Sequence, residues 1–195
     1  MDCIKKILKV VGIILAVAGV VAGVAESSKI ERIEVKSATF DLKSTQVAGG
    51  VAGKIEATVV SESYTSSSLD RVSANINVVN PSIVFGGLVG ENFGGYVVYS
   101  YATGNAQLHN EYASAIYGGI VGRNKTVFNE IQSKTVYSGA SVKDTYTNIT
   151  LSANGNIDNV IAGMIIGENI THSTTRQNAK LETVTKYNNK VMGNY

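Results

Sequence analysis

A five-residue string recurs along this chain: two glycines, two apolar residues and a third glycine. It reads Gly49-Gly50-Val51-Ala52-Gly53, then Gly86-Gly87-Leu88-Val89-Gly90, then Gly118-Gly119-Ile120-Val121-Gly122. A reduced copy follows as Gly163-Met164-Ile165-Ile166-Gly167, with Met164 in place of the second glycine. The closing glycines lie 37, 32 and 45 residues apart, an irregular spacing inside the range of roughly 20–50 residues that marks tandem structural repeats. Asn92, Asn124 and Asn169 each stand two positions after a closing glycine. Ser63-Tyr64 and Ser100-Tyr101 both fall ten residues past one. A repeat of this size cannot bury its own apolar face, so it must stack on its neighbours.

The segments between these strings carry a β signal. Val72, Ala74, Ile76 and Val78 alternate with polar residues, the period of a half-buried strand, and Thr147, Ile149 and Leu151 repeat that pattern. Ile33 and Val35 start a run whose phase slips before Phe40 and Leu42, which requires a bulge or a turn. Turns are predicted at Gly104-Asn105, Gly139, Asn154-Gly155-Asn156 and Asn188-Asn189. The composition agrees with stacked coils. There are 20 glycines but one proline among 195 residues; glycine permits tight corners and close approach, while proline would remove ladder donors. The fold class expected is all-β, a β-solenoid of about four repeats. An antiparallel sandwich is the alternative, though nothing in a sandwich requires the recurring glycine string.

The N-terminus has a different character. Of 17 basic and 15 acidic residues, Lys5, Lys6, Lys9 and Asp2 lie in the first 25, and they account for the net +2. After Lys9 the run Val10–Ala25 is uncharged. Lysines ahead of an apolar run, with Gly23 and Ala25 before Glu26, have the form of an export signal with a small-residue cleavage site. Three readings of a hydrophobic helix over 1–25 follow: a cleaved signal, a retained membrane anchor touching lipid through residues 10–25, or a helix packed in an assembly. The expected organisation is thus 1–25 signal or anchor, 26–46 linker and first strands, and 47–195 solenoid.

Gly86-Gly87-Leu88-Val89-Gly90, Asn92, Gly94 and Ser100-Tyr101-Ala102-Thr103-Gly104 resemble the bacterial GLUG repeat. The first and third copies match mainly in the glycine core, and the fourth is degraded. The resemblance covers roughly residues 47 to 180. It implies a secreted or cell-surface bacterial β-solenoid, of the kind found in adhesins resembling filamentous haemagglutinin, and it implies no catalytic residues. Gly49, Gly50, Gly53, Gly86, Gly87, Gly90, Asn92, Gly118, Gly119, Gly122, Asn124, Gly163, Gly167 and Asn169 are therefore expected to be structural, with the asparagines forming a polar ladder at a corner.

A search for reactive constellations finds little. His109 and His172 are the only histidines and show no metal-ligand spacing. The lone Cys3 excludes disulfide scaffolds and cysteine zinc sites. No aspartate follows the glycine pairs as a calcium-binding solenoid repeat would require. No catalytic, cofactor or metal residues are expected. The one enzymatic alternative is a carbohydrate-cleaving solenoid using paired carboxylates, drawn from Asp70, Glu91, Glu111, Asp144, Asp158 and Glu168; Glu91 and Glu168 share a repeat position that Arg123 takes in the third copy. Sequons at Asn124, Asn148 and Asn169 are ordinary for an Asn/Thr-rich chain. The balanced body offers no basic stripe for nucleic acid. Ten tyrosines, among them Tyr64, Tyr96, Tyr99, Tyr101, Tyr112, Tyr117, Tyr137 and Tyr146, either fill half-buried strand positions or build a glycan-stacking face.

The expected function is a non-enzymatic structural or adhesive surface protein that self-associates end to end. Contact with a glycan or host surface is the second reading, and a membrane-active segment over residues 4–25 is the third.

Overall fold

The computed structural model describes residues 8–10, 17–41, 46–60, 63–65, 68–79, 83–109, 115–131, 134–154, 160–170 and 180–181. A strand β1 (Leu8–Val10) precedes a first coil made of β2 (Val17–Gly19), β3 (Ala22–Glu26), β4 (Lys29–Glu31) and β5 (Glu34–Asp41). The second coil is β6 (Val47–Gly49), β7 (Ala52–Glu56), a hairpin β8 (Thr58–Val60) and β9 (Ser63–Thr65), then β10 (Ser68–Asp70) and β11 (Ser73–Val79). The third is β12 (Val84–Gly86), β13 (Val89–Phe93), β14 (Tyr96–Val98) and β15 (Tyr101–His109). The fourth is β16 (Ala115–Gly118), β17 (Val121–Lys125), a hairpin β18 (Val127–Ile131) and β19 (Lys134–Ser138), then β20 (Ser141–Lys143) and β21 (Tyr146–Asn154). A fifth coil contributes β22 (Val160–Gly163), β23 (Ile166–Ile170) and β24 (Lys180–Leu181).

Successive coils stack into four parallel sheets. The first holds β2, β6, β12, β16 and β22, and the second β3, β7, β13, β17 and β23. The third holds β4, β10, β14, β20 and β24, and the fourth β1, β5, β11, β15 and β21. Outside the two hairpins every strand pairing is parallel, which is the arrangement of a β-solenoid with coils about 4.8 Å apart.

The expected N-terminal helix is not found among the described residues. Val17–Gly19 pairs in parallel with Val47–Gly49, and Ala22–Glu26 pairs with Ala52–Glu56. The physical reason lies in the sequence of the run itself. Val17-Ala18-Gly19-Val20-Val21-Ala22-Gly23 repeats Val47-Ala48-Gly49-Gly50-Val51-Ala52-Gly53 with one difference, at Val20. A glycine-spaced, β-branched segment that matches the next coil gains ladder hydrogen bonds and burial by stacking. Ala25, the expected cleavage position, is buried opposite Ile55. The stack thus starts well ahead of residue 47, and residues 26–46, expected as linker and first strands, hold β4 and β5. Within the described residues no helix is long and apolar enough to cross a membrane.

The irregular spacing also has a structural cause. Register partners in the first sheet are Val17, Val47, Val84, Ile116 and Ile161, so the coils span 30, 37, 32 and 45 residues. The two long intervals are those that carry the hairpins. Both hairpins leave the coil at the same corner, between the second and third sheets, and β9 lies in contact with β19. They stand two coils apart, about 9.6 Å, which is close to the separation of packed sheet faces.

Inside, each glycine corner turns two consecutive apolar side chains into the core, because the bend interrupts strand alternation. Val51, Leu88, Ile120 and Ile165 form one buried column, and Ala52, Val89, Val121 and Ile166 form the next. The fourth sheet adds Ala74, Ile76 and Val78 while exposing Asn75 and Asn77. The phase slip in β5 is a register shift against β11 between Ala74 and Ile76, which leaves Val35, Ala38 and Phe40 all buried. Gly104-Asn105, expected as a turn, lies within β15; Gly104 adopts φ 118° directly over Ile76, whose backbone an added Cβ would strike. Asn188-Asn189 and residues 155–156 lie outside the described residues.

The corner between the third and fourth sheets is made without glycine. Arg32, Arg71, Tyr99 and Asp144 occupy it with φ of 53°, 52°, 48° and 50°. Each costs roughly 1 kcal/mol or more in that conformation. The bend turns the following residue inward, and Val72, Ser100 and Thr145 are buried there. The strained amides still join the ladder, as Arg32 N–H donating to Asp70 O at 3.0 Å shows.

Candidate functional site

The second glycine of each string sits where coils approach most closely. A Cβ on Gly50 would strike the carbonyl oxygen of Gly87, one on Gly87 that of Gly119, and one on Gly119 that of Met164. The first glycine, at 49, 86 and 118, faces the carbonyl three residues on, across its own corner. The closing glycines face the opposite way: a Cβ on Gly90 would strike the carbonyl oxygen of Gly53, one on Gly122 that of Gly90 and one on Gly167 that of Gly122. Gly163 pairs with Gly118 in the first sheet.

The asparagines form a continuous ladder. Asn92 Nδ2 donates to Asn124 Oδ1 at 2.8 Å, and Asn124 Nδ2 donates to Asn169 Oδ1 at 3.0 Å. Asn92 also closes its own corner, accepting from Gly95 N–H at 2.9 Å and donating to Gly95 O at 3.1 Å. Asn124 donates to Ala140 O at 3.4 Å. Ala140 precedes Ser141 as Gly95 precedes Tyr96, and those two strands are in register. The fourth coil thus keeps the same corner contact across the mouth of its inserted hairpin. In the second and first coils the column continues as Ile55 and Ala25.

The neighbouring position alternates in charge. Lys54, Glu91, Arg123 and Glu168 are register partners on the second sheet. Arg123 Nη1 lies 2.7 Å from Glu91 Oε1 and its Nε 2.7 Å from Glu168 Oε2. Burial by itself would lower the Arg123 pKa; the hydrogen bonds and charges of Glu168 and Glu91 outweigh it and raise the pKa above the usual value. Of the carboxylates that a carbohydrate-cleaving reading would draw on, Glu91 and Glu168 are engaged with Arg123 as struts between coils. Lys54 also pairs with Glu56 at 2.8 Å and lies 4.5 Å from the Phe93 ring centroid, with Lys125 at 5.4 Å.

The tyrosines divide by position. Tyr117 is buried, while Tyr96, Tyr99 and Tyr101 are exposed on the third coil. Tyr101 packs against Tyr146 at 6.4 Å between centroids, and Arg71 sits 6.0 Å from the Tyr99 ring. Tyr64 and Tyr137 lie in the hairpin strands. Ser63-Tyr64 is therefore no counterpart of Ser100-Tyr101, whose register partners are Val72-Ser73 and Thr145-Tyr146. Ser100 holds its corner, its Oγ accepting from Val72 N–H at 3.0 Å and donating to Val98 O at 2.6 Å.

His109 ends β15, and Asp70 and Asp144 flank the left-handed corner. Cys3, Glu111, Tyr112, Asp158 and His172 lie outside the described residues. Among the described residues no three His, Cys, Asp or Glu side chains gather as a metal site. Two features escaped the sequence reading: the first coil, for which the repeated Val-Ala-Gly string was the available signal, and the non-glycine corner, which has no compositional signature. Comparisons with protein-family models, curated proteins and solved structures returned no match.

Proposed function

We propose that this chain is a non-enzymatic bacterial surface protein whose GLUG-like coils serve as a structural or adhesive scaffold that joins copies end to end. The observation that carries this reading is the use of its polar side chains. Asn92, Asn124 and Asn169, with Glu91, Arg123 and Glu168, are all engaged along the stack axis, where they hold coils to one another. Export now rests on the resemblance, because residues 17–26 belong to the first coil. Protein recovered from a bacterial surface fraction is expected to keep residues 17–26, and N-terminal sequencing checks this.

Joining of copies is supported by β22 and β23, the outermost strands of their sheets among the described residues. Such edges are templates for another chain. Met164 stands where an added coil's carbonyl would approach, so joining in register opens that corner. Light scattering and electron microscopy over rising concentration are expected to show linear oligomers, more extensive for Met164→Gly. Strict monomers for both proteins would remove the end-to-end reading.

A further inference from the structure

On the outer face of the fourth sheet, the first three coils enclose a groove of about 350 Å³, within the roughly 300–1,000 Å³ common for small-ligand sites. Its origin is a difference in side-chain height between coils. The second coil supplies a low floor, Ser73 and Asn75. On one side Glu34 and Lys36 rise from β5, where the register shift inserts an extra residue. On the other side stand Tyr101 and Thr103, and Tyr146 packs against Tyr101 from the coil beyond. Glu34 and Tyr101 are the two register neighbours of Ser73, so the walls are two coil spacings apart, about 9.6 Å.

The chemistry of the lining selects among ligands. Glu34 and Lys36 pair with each other at 3.8 Å, both about half exposed, so the groove has no net charge to hold nucleic acid or a sulfated polymer. The floor strands are hydrogen-bonded on both sides within the sheet, so a peptide cannot add as a further strand. What remains is the exposed Tyr101 ring beside hydroxyl, amide and carboxylate groups. An aromatic ring takes the apolar face of a sugar, and the polar groups take its hydroxyls. We propose that this groove binds a neutral glycan, with Tyr101 stacking on a sugar ring and Asn75, Thr103 and Glu34 hydrogen-bonding its hydroxyls. The proposal deepens the adhesive part of the reading above and is independent of end-to-end joining.

The test is calorimetric and saturation-transfer titration of the full chain with cellohexaose, chitohexaose and mannohexaose, with dextran sulfate as the charged comparison. At least one neutral hexasaccharide is expected to bind. Tyr101→Ala should weaken that binding tenfold or more and Asn75→Ala about threefold. Tyr96→Ala, which removes an exposed ring from the third sheet, should change it less than twofold. Circular dichroism establishes that each variant is folded. Binding of none of the three neutral sugars, binding of dextran sulfate alone, or Tyr101→Ala and Asn75→Ala both at wild-type affinity overturns the proposal. Failure here with linear oligomers intact would leave a structural scaffold without this site.

Discussion

Gly87 and Met164 occupy the same corner of the coil, two coils apart. Gly87 lies between the second and fourth coils, and its missing Cβ is the space filled by the Gly119 carbonyl. Met164 is half-buried and has no described coil beyond it in the first sheet. Val20 takes this position at the other end of the stack. One residue later the contrast is confined to the first coil, where Val21 is 43% exposed while Val51, Leu88, Ile120 and Ile165 are all buried. Interior coils are constrained from both sides and keep the full glycine string. Among the described residues the outermost coils of the first sheet are constrained from one side, and there the string relaxes. Degeneracy of a repeat copy is thus information about its place in the stack.

Removing residues 1–25 should have the largest effect. It strips β2 and most of β3, and uncovers Ala48, Val51, Ala52 and Ile55, all buried in the intact chain. Loss of that apolar burial is expected to cost on the order of 5 kcal/mol, seen as a thermal midpoint more than 10 °C lower or as aggregation. An unchanged melt would show that the first coil is not an integral part of the stack.

The comparison itself is broken or kept by a pair of substitutions. Gly87→Ala drives a Cβ into the Gly119 carbonyl and the Ala102 side chain, and should cost about 3 kcal/mol. Met164→Ala should cost less than about 1 kcal/mol. Equal costs in denaturant titration would mean that neighbouring coils do not decide which residue fits this corner.

Asn124→Ala is the smaller and sharper test. It removes the middle of the amide ladder and leaves Asn92 and Asn169 without their shared partner, for an expected loss of about 2 kcal/mol. Because Asn124 also spans the mouth of the β18–β19 hairpin, amide exchange in residues 134–143 should quicken more than exchange in the first two coils. Uniform quickening would place the ladder's contribution in global stability alone.

Much of this is legible in the sequence. The Asn92, Asn124 and Asn169 spacing indicated a ladder, and the alternation at Val72 to Val78 and the slip after Val35 marked the strands and the bulge. The N-terminal run misled because lysines followed by uncharged apolar residues describe a helix and a buried strand pair equally well. Local hydrophobicity carries no record of which neighbour a segment will meet. The Glu91, Arg123 and Glu168 equivalence is visible in the sequence too, where it points only to a shared repeat position. Stacking places these residues about 4.8 Å apart, where their alternating signs become ion pairs.

By itself the sequence determined the repeat: where the glycine corners fall and which glycine and asparagine positions coincide from coil to coil. These follow from local sterics, from glycine's missing Cβ and from the period of a strand. Tertiary structure alone decided that Val17–Glu26 joins the stack, that the extra residues in two coils leave as hairpins at one corner, and that Arg32, Arg71, Tyr99 and Asp144 accept a strained bend. It also decided that low side chains of one coil between taller neighbours leave a groove. The hairpin pairings apart, these outcomes depend on contacts between coils, which a local pattern does not record.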